Sequence, residues 1–151
     1  MLLSLLLLIL ALGGLQVYAI KPDALAIATI WQEARGESYI GKLAVAQVIR
    51  NRMARKYSSD GTVFGTVLRP YQFSGWNTEA SNRIEATSLD TEDPVYMECR
   101  QAWINSHPSI MVGFPAVLYH AKTMREYPQW ASAPSVVKVA EIGNHIFYDE
   151  R

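Results

Sequence analysis

Apolar positions along this chain recur in blocks, and the step within each block predicts an element. Leu25, Ala28 and Trp31 repeat every three residues, with Ile27 and Ile30 on the flank. That spacing predicts a helix opened by Pro22 and Asp23, with Asp23 placed to cap it, and stopped at Gly36. A second helix is predicted over residues 40–56, where Leu43, Ala44, Gln47, Val48 and Asn51 share a face. Two amides therefore sit on or beside an apolar stripe. Residues 50–60 form a polar tail running into a turn at Gly61, and residues 62–68 make one or two helical turns before Pro70. Residues 71–77 are a loop dense in aromatics and amides, and residues 78–92 read as polar surface. Asp93 followed by Pro94 starts a helix that runs to about Ser106, with Val95, Cys99, Ala102 and Trp103 on its buried side.

Beyond Pro108 the pattern changes. Residues 116–121 read as extended, and residues 123–134 as an irregular loop. Residues 136–139 and 145–148 pair as strands through a turn at Gly143 and Asn144. The expected fold is α+β: a mainly helical domain over residues 21–151, with a small antiparallel β-hairpin near its C-terminus.

The first twenty residues stand outside this pattern. They carry no charge, and residues 2–12 are apolar apart from Ser4. Three readings stay open. A cleaved signal peptide fits the leucine core, Gly13 and Gly14, and the small residues of Val17-Tyr18-Ala19, although no Lys or Arg precedes the core. A retained or releasable anchor fits the length, since about 20 residues span a bilayer. A buried core helix is the third. The first two send the domain across a membrane. A retained anchor would add the inner membrane as a partner.

Composition narrows the partners. Lys plus Arg and Asp plus Glu each number 14, so no net field draws nucleic acid, and none is expected. Cys99 is the only cysteine, which excludes an internal disulfide and a cysteine-rich zinc site. No cofactor or metal is expected, and the chain is expected to act as a monomer.

Candidate chemistry begins with Glu33. It follows the apolar run 24–31 at a tight junction between two helices. Burial there disfavours the ionised form and raises a carboxyl pKa, as a general acid at neutral pH requires. The plain alternative is a solvated helix-end glutamate paired with Arg35 or Arg52. Glu37 lies past Gly36, near the start of the second helix, where the dipole favours its ionised form. It suits a cap, a charge stabiliser or a substrate contact better than a proton donor.

Sugars present apolar ring faces edged with hydroxyls. A groove for them needs flat aromatics together with amides and hydroxyls. Tyr71, Gln72, Phe73, Ser74 and Trp76 supply both, although Phe73 or Trp76 taken singly reads better as core. His107, His120 and His145 lack the close spacing of a metal motif. His107 reads as a loop residue. His120 and His145 lie on the predicted strands, where they could meet, and read as structural or groove residues.

These motifs together resemble a known family. Glu33-Ala34-Arg35-Gly36-Glu37, followed by residues 41–52, is similar to the opening signature of cell-wall hydrolases typified by bacterial spore cortex-lytic enzymes. Gln72-Phe73-Ser74 is similar to the family's middle motif. Tyr119-His120 with Pro128-Gln129-Trp130, then residues 142–148, is similar to its C-terminal motif. The likeness spans residues 24–148, with the motifs in the family's order. It implies a compact fold related to goose-type lysozyme and lytic transglycosylases. It implies a peptidoglycan substrate cut at the β-1,4 bond between N-acetylmuramic acid and N-acetylglucosamine, with Glu33 as the catalytic acid. Glu37, Gln72, Phe73, Ser74, Trp76, Tyr119 and His120 are then candidate substrate contacts. No peptidoglycan-binding repeat accompanies the motifs here, so the expectation is a phage lysis enzyme or a small bacterial wall-remodelling enzyme.

The mechanism expected is protonation of the glycosidic oxygen by Glu33. The sugar's own acetamido and 6-hydroxyl groups then complete the reaction to a 1,6-anhydro product. A hydrolysing muramidase that inverts would need a second carboxylate about 6.5 to 9.5 Å away, from Glu37, Asp60 or Asp90. Tyr119 and Gln72 are expected to orient the substrate or Glu33. Two other classes stay open: a wall-binding or lysis-accessory module without catalysis, and a metal-dependent amidase or peptidase using the histidines.

Overall fold

The computed structural model describes residues 20–77, 88–106 and 113–151. Residues 1–19, most of the polar stretch 78–92, and His107 lie outside the described residues. Among the described residues, no helix is long and apolar enough to cross a membrane. The helices are α1 (Pro22–Ala34), α2 (Tyr39–Arg55), α3 (Val63–Val67) and α4 (Pro94–Asn105). The strands β1 (Leu118–Ala121), β2 (Val136–Ile142) and β3 (His145–Glu150) follow, with short 3-10 turns at Ser74–Trp76 and Gln129–Ser132.

α1 lies at the centre. Its residues 25–30 are all buried, and it packs against α2, α3 and α4. A helix apolar on every side belongs inside a domain. Thr29 fits there because both its hydroxyl functions are used. It donates to Leu25 O at 2.8 Å and accepts from Trp76 Nε1 at 2.9 Å.

The start of α1 differs from expectation. Lys21 holds the capping position without a side-chain bond, and Asp23 sits in the first turn. Pro22 takes an early helical position, where its missing N–H needs no partner. Asp23 is thereby free to accept Trp103 Nε1 at 2.8 Å, which ties α4 to α1. The start of α4 is as the sequence implies: Asp93 accepts the N–H groups of Val95 and Tyr96.

The polar positions of α2 are the fastenings for the last third of the chain. Asn51 Nδ2 donates to Phe114 O at 2.6 Å and Ala116 O at 2.9 Å. Arg52 Nε donates to Val117 O at 2.6 Å, and Arg55 Nη1 reaches Pro115 O at 3.3 Å and Asp149 Oδ1 at 2.6 Å. Each buried carbonyl of this segment would otherwise lose its partner on leaving water. The segment leading into β1 is thus clamped along α2.

The expected hairpin β2–β3 forms, and β1 adds a third strand to make an antiparallel sheet of order β1-β3-β2. Tyr119 pairs with Phe147, His120 with Ile146 and Ala121 with His145. Side chains alternate along a strand, so His120 and His145 lie on opposite faces and do not meet. Tyr119, His145 and Phe147 share one face, and Phe147 is fully buried in the helical core. His120 and Tyr148 share the other face, beneath Tyr127 and Trp130.

Candidate active site

Glu33 occupies the last turn of α1, where the negative end of the helix dipole already disfavours a carboxylate. Its side chain is half-buried, yet desolvation is the largest influence on its carboxyl and raises the pKa above 4.5. That combination describes a group closely surrounded by protein with one side left open. Three weaker influences pull the other way. The Tyr119 hydroxyl donates to Glu33 Oε2 at 2.8 Å, the positive charge of Arg52 lies nearby, and the Gly75 N–H donates to the carboxyl.

Each of these partners is held by the fold. Tyr119 is delivered by β1, which the α2 clamp fixes, and its ring packs against His145 at 5.1 Å and Phe147 at 5.5 Å. Burial, and then contact with Glu33, push the Tyr119 phenol well above its ordinary range, so it stays a donor. Arg52 is buried; besides Val117 O it donates to Gln72 Oε1 at 3.2 Å and lies over Phe73. Gly75 approaches α1 so closely that a Cβ there would stand 2.2 Å from Gln32 Oε1. The Gln32 amide, at the end of a flexible side chain, would have to move aside to admit one. Burial pushes the neighbouring His145 imidazole below its ordinary value, against the opposing charge of Glu37.

The remaining sequence candidates divide. Gln72 belongs to the site through Arg52, and Ser74 is exposed on the same loop. Phe73 is 1% exposed and Trp76 7%. Both side chains are core, and Trp76 spends its N–H on Thr29. The Phe73 ring has no face left for a sugar, whereas Trp76 keeps an edge on a hollow beside α1. His120 is buried too, with Nδ1 on Ala121 O at 3.0 Å and Nε2 on Tyr148 Oη at 2.9 Å, so it is a structural residue of the outer aromatic cluster. Glu37 Oε2 accepts the Asn144 N–H at 3.1 Å, bracing the β2–β3 turn rather than offering that oxygen to a ligand. Arg35 stacks over Trp31 at 4.5 Å, so of the two arginines considered for Glu33, Arg52 is the one beside it.

Two hollows of about 220 and 370 Å³ lie elsewhere on α1, sharing Leu89 and Tyr96, and Glu33 lines neither. The chemistry therefore marks the site: a carboxyl, a phenol and a buried guanidinium converge where α1, the 71–77 loop and β1 meet. Among the described residues, no group of three or more His, Cys, Asp or Glu is disposed to hold a metal ion.

Comparison with known proteins decides the family. The Cell Wall Hydrolase family profile matches residues 36–148. The chain belongs to the cell wall hydrolase family. This hydrolase is a peptidoglycan-degrading enzyme with a lysozyme-like α+β fold. It is similar to the catalytic domain of germination-specific lytic transglycosylase SleB from Bacillus anthracis, at 25% identity and a TM-score of 0.60, over 86% of this chain and 95% of that one. It also shares the fold of the catalytic domain of the Bacillus cereus SleB protein, at 23% identity and a TM-score of 0.58, over 89% of this chain and 98% of that one. No curated protein sequence matches the hydrolase.

The sequence reading offers Arg52 as a partner of Glu33 but does not show its burial, and it does not single out Gly75. Only the approach of the loop to α1 places Gly75 beside Glu33.

Proposed function

We propose that the cell wall hydrolase cuts the β-1,4 bond between N-acetylmuramic acid and N-acetylglucosamine as a lytic transglycosylase, with Glu33 as general acid. The observation that carries this is the Glu33 carboxyl itself. Burial dominates its surroundings, while the Tyr119 hydroxyl occupies Oε2 and fixes its orientation. A protonated carboxyl so held can give its proton to the glycosidic oxygen as the C–O bond breaks. Positive charge then develops at the muramic acid anomeric carbon. The sugar's 6-hydroxyl closes on that carbon and returns its proton to Glu33, so no water is consumed and a 1,6-anhydro end results.

Each carboxylate considered for activating water has another task. Glu37 braces the β2–β3 turn, Asp60 accepts from Thr62 N and Oγ1, and Asp90 accepts from Glu92 N. That favours ring closure by the sugar, as does the likeness to a lytic transglycosylase domain. We further infer that residues 1–20 export the domain to the cell-wall space and that it works as a monomer. Mass spectrometry of digested peptidoglycan tests the reaction. Anhydromuramic ends are expected. Reducing muramic ends would mean hydrolysis, and free amino groups without new sugar ends would mean an amidase.

A further inference from the structure

Tyr71 is 88% exposed, the highest among the exposed large apolar and aromatic residues described. Its backbone stands at φ +64°. Gln72 N–H donates to Arg69 O at 3.2 Å, closing a β-turn with Pro70 second and Tyr71 third. A positive φ at the third position of such a turn calls for glycine or asparagine, and an aromatic residue there is strained. Packing does not hold the ring, since almost all of it faces solvent. Strain without a packing return points to a use for the side chain itself.

The turn is rigidly placed at the edge of the catalytic centre. Tyr71 N–H donates to Asn77 Oδ1 at 3.3 Å, Gln72 is held by Arg52, Phe73 is buried in the core, and Gly75 N–H donates to Glu33. Four steps along the chain separate Tyr71 from Gly75, a reach of at most about 14 Å. A flat ring with a hydroxyl at its tip therefore stands within an oligosaccharide's reach of Glu33.

We propose that Tyr71 is a stacking platform for one pyranose ring of the glycan strand, in a subsite flanking the bond that is cut. This rests on the reading of a glycan substrate. The ring face meets the apolar C–H face of the sugar, and the phenol hydroxyl bonds its polar edge. Tyr71→Gly separates binding from folding, because glycine relieves the backbone while deleting the ring.

Tyr71→Gly is expected to melt at or above the wild-type midpoint, with KM for peptidoglycan raised about three- to tenfold and kcat little changed. In a Glu33→Gln background, retention on insoluble peptidoglycan should weaken by a similar factor. Tyr71→Trp should keep both properties. Wild-type KM and retention in Tyr71→Gly overturn the proposal. So does weakened binding that tracks a lowered melting midpoint and is not restored by tryptophan. If the wild type releases no sugar fragments, the glycosidase reading fails instead, and the retention measurement still decides the role of Tyr71.

Discussion

Glu33→Gln is expected to gain stability on the wild type as the pH rises. Folding raises the Glu33 pKa above 4.5, chiefly through burial. Between that unfolded value and the higher folded value, the native state holds more protons than the unfolded chain. Stability therefore falls as pH climbs through this window, and the full penalty applies above it. Each unit by which the pKa is raised corresponds to about 1.4 kcal/mol. Tyr119, Arg52 and Gly75 limit the penalty without cancelling it. Glutamine is neutral at every pH and escapes it. Glutamine also has one acceptor oxygen in place of two, so losing a bond from Tyr119 or Gly75 would cost about 1 kcal/mol at all pH values. The offset is constant, and the slope is the signal. Urea unfolding of both proteins from about pH 4 to about pH 8 measures it, since other titrating groups cancel in the difference. The difference should grow above pH 4.5 and level off at the folded pKa of Glu33. A difference that stays flat, or one that moves toward the wild type, refutes the dominance of burial at this carboxyl.

Tyr119→Phe keeps the ring packing and removes only the donor to Glu33 Oε2. That donor lowers the Glu33 pKa, so the basic limb of the pH–rate profile should move to higher pH. Activity at the optimum should fall about five- to thirtyfold, the worth of one hydrogen bond of about 1–2 kcal/mol. Trp76→Phe removes the indole bond to Thr29 at 2.9 Å. It should lower stability by about 1–2 kcal/mol in thermal unfolding and leave KM unchanged, as a core residue must.

Local patterns made the helices legible. Asp93 and Pro94 mark the start of α4, and the apolar run before Glu33 marks α1. The carboxyl at the end of that run was legible for the same reason, since a charge following buried positions is conspicuous. What the sequence hides depends on distant partners. β1 joins the sheet through pairs such as Tyr119 with Phe147, which no local period encodes. The faces of His120 and His145 follow from that register, and one residue of slip would put both on the same face. In the 71–77 loop the density of aromatics was visible, and Phe73 and Trp76, each of which singly reads as core, do turn inward; that Tyr71 stays outside was not legible. The burial of Arg52 is hidden for another reason. A buried arginine is stable only because Val117 O and Gln72 Oε1 receive its donors, and neither is near it in the chain.

Clearing of a peptidoglycan suspension by Glu33→Gln, with Glu37→Gln beside it, tests the central assignment most directly. With both variants folded, Glu33→Gln should lose at least about 100-fold of the rate, as removal of a general acid implies. Glu37→Gln, altered only at a turn brace, should retain most of it. Clearing by Glu33→Gln at the wild-type rate would contradict the assignment of the proton to this carboxyl.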